Sequence, residues 1–96
     1  MTVQEIIAET VAILRRRLPE GNFKIYLFGS QARDAADPAS DIDIGLFGAE
    51  PLDDLTLLRL RDEVNAIPTL RKIEIVDLSK TDAGFRREVL SHAKLL

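Results

Sequence analysis

Cysteine is absent from the 96 residues. Disulfide frameworks, thiolate zinc sites and cysteine nucleophiles are excluded with it, and a reducing compartment suits that choice, so a cytoplasmic protein is expected. No apolar run approaches the length needed to span a bilayer, and no stretch has the basic, then apolar, then small-residue order of a signal peptide. Both absences predict a soluble chain with no membrane partner. The excess of either charge is small. A net charge of −3 offers no general attraction for nucleic acid or anionic lipid, so direct DNA binding is not expected. The basic runs Arg15-Arg16-Arg17 and Arg86-Arg87 read as solvated helix faces, and His92, the only histidine, reads as a helix-face residue. No linker is long or polar enough to divide the chain and no internal repeat is present, so residues 1–96 are expected to form a single domain around one modest core.

What is present is clear periodicity. Thr2 followed by Glu5 has the form of a capping box, and Val3, Ile6, Ile7, Val11, Leu14 and Leu18 recur at helical spacing until Pro19 and Gly21 stop them. Residues 23–28 are mostly β-branched or aromatic and run into Gly29-Ser30, which predicts a buried strand ending in a tight turn, with a short helix starting at Ser30. A turn-rich stretch over 34–40 precedes residues 41–47, which alternate as a strand should, with Ile42, Ile44 and Leu46 on one face and Asp41 and Asp43 on the other. Leu52, Leu55, Leu58, Leu60, Val64 and Ile67 mark an amphipathic helix closed by Pro68. Leu57 falls off the stripe set by Leu60, Val64 and Ile67, so either part of this leucine-rich helix faces outward or Leu57 packs under the 48–51 loop. A third strand over 72–78 and a last helix over 82–93 complete an α/β (α+β) chain of order α-β-α-β-α-β-α.

The chemistry is carried by carboxylates. Two aspartates one residue apart on a strand present their side chains to the same face, where mutual repulsion is costly unless positive charge sits between them. Hard oxygen donors of this kind suit Mg²⁺ or Mn²⁺, which can bridge carboxylates to triphosphate oxygens, so Asp41 and Asp43 are the candidate ligands. Glu74 is a charge in mid-strand among Ile73, Ile75 and Val76 and is the candidate third carboxylate, as metal ligand or catalytic base. Asp77 points the other way. Gly29 ends the first strand where a missing Cβ lets a ligand approach the backbone, and Ser30 adds a hydroxyl donor beside it. Arg33 is a candidate phosphate contact or a brace for the turn, and Ser40 a candidate donor at the metal site or a strand-entry residue.

The segments Gly29-Ser30-Gln31-Ala32-Arg33, Ser40-Asp41-Ile42-Asp43-Ile44 and Ile73-Glu74-Ile75-Val76-Asp77-Leu78 resemble the polymerase beta-like nucleotidyltransferases, above all their minimal (MNT) branch. The ending Phe85-Arg86-Arg87-Glu88-Val89-Leu90 is similar to that family's terminal helix, so the resemblance extends over essentially the whole chain. It implies a nucleotidyltransferase fold with a small mixed three-stranded sheet. It also implies a glycine-serine turn (Gly29, Ser30) that grips the triphosphate, three acidic residues (Asp41, Asp43, Glu74) that hold metals, and ATP as co-substrate. Asp34 stands where the family usually has glycine, and Glu74 where it usually has aspartate.

The activity implied is transfer of AMP from ATP to an acceptor hydroxyl. Larger members of the superfamily carry a further domain for the acceptor, and no residues are left here to build one. The resemblance therefore points to a separate helical HEPN protein as partner, with the chain acting as the antitoxin that adenylylates a HEPN toxin. Two alternatives follow from the same residues. One is a non-catalytic antitoxin or regulatory subunit that masks its partner by contact, and the other is a transferase acting on a small antibiotic-type molecule.

Overall fold

Thr2 opens the first helix as the sequence suggests: its hydroxyl accepts from the Glu5 amide at 3.1 Å, and its own amide donates to the Glu5 carboxylate at 3.0 Å. Helix α1 (Val3–Arg17) follows and buries Ile6, Ile7, Thr10, Ile13 and Leu14. Thr10 fits this apolar stripe because its hydroxyl donates to the Ile6 carbonyl at 2.8 Å, so no polar group is left unpaired. The structure is a computed structural model and describes residues 1–18, 22–32 and 41–96.

Strand β1 (Phe23–Phe28) leads into a 3-10 turn over Gly29–Ala32, and strand β2 (Ile42–Gly48) returns antiparallel to it. Helix α2 (Asp54–Asn65) starts at an Asp53 cap whose carboxylate accepts from the Thr56 amide at 2.7 Å. Strand β3 (Ile73–Asp77) then pairs parallel with β2, and helix α3 (Ala83–His92) follows a short 3-10 turn over Leu78–Lys80. A final strand, β4 (Lys94–Leu95), pairs antiparallel with β1. The sheet is therefore mixed and four-stranded in the order β3-β2-β1-β4, one strand more than expected. Both residues of β4 are exposed, so no buried alternation marks it in the sequence. Its place is fixed by backbone pairing, continued by the Leu96 amide donating to the Ile25 carbonyl at 2.8 Å, with the Leu96 side chain against the core and the Arg15 guanidinium donating to the Leu96 carbonyl at 3.2 Å.

Alternation divides the sheet into two faces. Ile25 and Leu27, then Ile42, Ile44 and Leu46, then Ile73 and Ile75 pack into one cluster with the buried side chains of α1 and α2. Lys24, Tyr26, Phe28, Asp43, Phe47, Glu74 and Val76 are turned to the other face, none of them fully buried. Leu78 reaches that second face at Gly45, where an added Cβ would meet its Cδ1 at 2.7 Å. Helix α3 lies beside β1 and the 3-10 turn, with Arg86 stacked 5.3 Å above the Phe47 ring.

The inward face of α2 differs from the sequence reading. Leu57 is buried with Leu60 and Val64, while Leu55 and Leu58 are each 54% exposed. At about 100° per residue, 57, 60 and 64 fall within about 60° of one another, with 58 about 100° and 55 about 160° away from Leu57. Two apolar stripes compete on this helix, and the one that meets the sheet wins. Leu52 is buried but precedes the helix.

The end of the sheet where β2 and β3 finish is tied by one carboxylate. Asp77 is buried and accepts from the Leu52 amide at 2.8 Å and the Ser79 amide at 3.0 Å. The Ser79 hydroxyl in turn bridges the Gly48 amide at 3.1 Å and the Gly48 carbonyl at 3.2 Å. On the outer edge of β3, the Arg61 guanidinium donates to the Ile75 carbonyl through Nε at 3.2 Å and Nη2 at 2.9 Å, which blunts an otherwise open strand edge.

Candidate active site

The candidate groups lie at the opposite end of the sheet from the Asp77 tie. Strand β1 ends at Phe28, which faces Asp43 across the antiparallel pair, and Asp43 in turn faces Glu74 across the parallel pair. A carboxylate on each of two neighbouring strands, at the same level and on the same face, follows directly from that register. Asp41 stands just before β2. Its charge is close enough to act on Asp43.

Gly29 closes the group from the β1 side. Its φ of +69° is a left-handed conformation that side chains rarely adopt, and a Cβ there would land on the Asp43 carboxylate. The glycine therefore serves two ends: it permits the sharp exit from β1 and leaves room for Asp43 against the turn backbone. Ser30 lies in the 3-10 turn that follows. Arg33, Asp34 and Ser40 lie outside the described residues.

Electrostatics mark Asp43 as the strained member. Burial pushes its carboxyl above the usual aspartate range, and the like charges of Glu74 and Asp41 push it further, with Lys72 opposing. Lys72 was not singled out in the sequence. Its ammonium lies 2.8 Å from the Glu74 carboxylate, and that contact holds it above the usual lysine range. The signal was available, since Lys72 and Glu74 are two residues apart on extended backbone and so share a face. Phe28 was likewise overlooked, and its position opposite Asp43 follows once the β1–β2 register is known.

Among the described residues, no three His, Cys, Asp or Glu side chains are gathered closely enough to hold a metal ion. Asp43 and Glu74 share a face, with Asp41 just before β2, but Glu74 turns its carboxylate to Lys72. Asp77 is on the core-facing side with its oxygens accepting from two amides, as its strand position predicts. A depression of about 770 Å³ lined by Arg17, Thr56, Arg59, Leu60, Asp62 and Glu63 lies along α1 and α2, across the sheet from Asp43, and contains none of the candidate groups. A smaller hollow of about 290 Å³ reaches Lys72, Glu74 and Val76 along the β3 edge. His92 is exposed on α3 within 3.2 Å of Glu88, a helix-face pair.

Comparison with known proteins identifies the family. Residues 20–96 match the family model described as polymerase beta, nucleotidyltransferase. A relative from Haemophilus influenzae, named Probable protein adenylyltransferase MntA, is 28% identical over 82 residues, which span 85% of this chain and 70% of the relative. The fold superposes with a TM-score of 0.72 and 26% identity on a tri-AMPylated Shewanella oneidensis HEPN toxin in complex with MNT antitoxin, covering 96% of this chain and 69% of that one. A toxin–antitoxin structure with AMP-PNP gives a TM-score of 0.74 at 27% identity, with 92% of this chain and 69% of that chain covered. With the family model matched over more than three quarters of its length, the chain belongs to the polymerase beta-type nucleotidyltransferases.

Proposed function

We propose that this chain is a protein adenylyltransferase that transfers AMP from ATP to an acceptor hydroxyl on a HEPN-domain partner, as the antitoxin of a toxin–antitoxin pair. The observation that carries the reading is the registered end of β1, β2 and β3, where Gly29, Asp43 and Glu74 meet beside Asp41. The HEPN complex and the AMP-PNP complex among its structural neighbours supply the acceptor class and the nucleotide.

In this reading the Gly29 backbone, bare of a Cβ, receives the triphosphate together with Ser30, with Arg33 and Ser40 as further contacts. Asp41 and Asp43 are the oxygen donors for Mg²⁺ or Mn²⁺, and Glu74 is the third carboxylate. The donor chemistry fits: these are hard anionic oxygens, burial and then the like charges of Glu74 and Asp41 push the Asp43 carboxyl upward, and the single Lys72 ammonium offsets only part of that charge. When bound, a divalent cation would neutralise charge developing on the triphosphate as pyrophosphate leaves. In this reading Glu74, if it is not a metal ligand, is the group that receives the acceptor hydroxyl proton.

The test is to incubate the purified chain with labelled ATP and Mg²⁺, alone and with a HEPN-domain protein from the same organism. Label should pass to the partner polypeptide. Asp41→Ala and Asp43→Ala should each reduce transfer to background while circular dichroism shows an intact fold. Transfer that persists in both variants would refute the assignment. One observation favours a second reading, a non-catalytic subunit that silences its partner by contact: the Glu74 carboxylate is engaged by Lys72. Silencing without label transfer would decide for it.

A further inference from the structure

We infer that Lys72 is the resident counter-cation of the carboxylate face and competes there with the divalent metal for Glu74. The inference rests on the metal-dependent reading of the site given above.

Lys72 is held in place by its backbone. Its carbonyl accepts from the Ile42 amide at 2.9 Å, which extends the parallel β2–β3 ladder by one step and sets Lys72 beside the residue between Asp41 and Asp43. From there its side chain runs along the same face as Glu74, two residues on, and ends 2.8 Å from the Glu74 carboxylate. The ammonium is thus paired with Glu74 and within electrostatic reach of Asp41 and Asp43. It supplies one positive charge against their three negative ones. Removing it leaves like charges packed at strand spacing with nothing between them.

A lysine suits this task because it is reversible. Its charge is compact, its stem is flexible, and the side chain is 65% exposed, so it can withdraw into water at little cost when a doubly charged ion enters. A metal must displace it to gain Glu74, because a cation coordinated by that carboxylate would repel the neighbouring ammonium. The pairing also accounts for the lack of a ready three-carboxylate cluster among the described residues. The face is held closed by a monovalent stand-in.

The experiment is calorimetric titration of the full chain with Mn²⁺ at neutral pH, comparing wild type with Lys72→Met, Lys72→Arg and Lys80→Met. Lys80 pairs with Asp54 on another part of the surface, so its loss changes net charge equally without touching this face. Lys72→Met should bind Mn²⁺ about fivefold more tightly, the release expected from one exposed ion pair, with Lys72→Arg and Lys80→Met near wild type. Equal or weaker Mn²⁺ binding by Lys72→Met overturns the inference, as does equal tightening by Lys80→Met. If neither wild type nor Lys72→Met binds Mn²⁺, the metal-dependent reading falls and takes the inference with it. A wild type that binds while Lys72→Met gains nothing removes the inference alone.

Discussion

Two aspartates of this chain respond to their surroundings in opposite directions, and their pH dependence follows. Asp43 is pushed above the usual aspartate range by burial and then by Glu74 and Asp41, so its charged form costs the fold stability. Asp43→Asn should therefore raise the melting temperature at neutral pH in metal-free buffer, and the gain should vanish as pH falls through the raised value toward the ordinary range. Asp53 is held below the usual range by its hydrogen bonds from Thr56, so its charged form stabilises α2. Asp53→Ala should lower the melting temperature at neutral pH, with the loss shrinking as pH falls through the depressed value. Melts recorded across pH for both variants check the two signs together. Gly29 gives a third test at this scale. Gly29→Ala combines roughly 1–2 kcal/mol of left-handed strain with displacement of Asp43, and should weaken ATP binding measured by calorimetry. Gly84→Ala, whose Cβ meets only the flexible Asp82 carboxylate at 3.2 Å, should leave ATP affinity unchanged. Gly45 is a poor control, because a Cβ there drives into Leu78.

Among the elements, α2 shows where periodicity runs out. Its leucines support two faces, and only contact with the sheet decides between them. Leu57→Ala should cost about 2–5 kcal/mol in denaturant unfolding, because it empties a buried site. Leu55→Ser and Leu58→Ser should each leave stability within about 0.5 kcal/mol of wild type. A reversed ranking would mean that the helix presents its other stripe to the core. The remaining helices were legible because each has a single apolar stripe and a side-chain cap: Thr2 for α1 and Asp82 for α3. β4 was not, since a two-residue exposed strand leaves no hydrophobic signature and depends on the edge that β1 offers. At the site, alternation alone placed Asp41 and Asp43 opposite Ile42 and Ile44 and set Glu74 apart from Asp77. It does not say which way a glutamate bends. The two-residue spacing shows that Lys72 and Glu74 share a face, and only the folded structure shows that their side chains pair.

For the molecule as a whole, the two ends of the sheet have different tasks. The end that begins β2 and β3 crowds negative charge against a glycine turn. At the far end, the Asp77 carboxylate and Ser79 hydroxyl join the ends of β2 and β3 to the segment entering α2. The join holds β2 and β3 in one register. A slip of one residue would turn Glu74 into the core and Ile75 beside Asp43, and would strip the buried Asp77 carboxylate of its Leu52 donor. The same join also sets a timescale. Leu52 lies outside any helix or strand, where amides ordinarily exchange with solvent within seconds to minutes. Bonded to a buried carboxylate, its amide is released only when the segment entering α2 parts from the end of β3. In hydrogen–deuterium exchange, Leu52 should therefore persist as long as the amides of Ile44 and Ile75 in the sheet centre, far outlasting its neighbours Ala49 and Glu50.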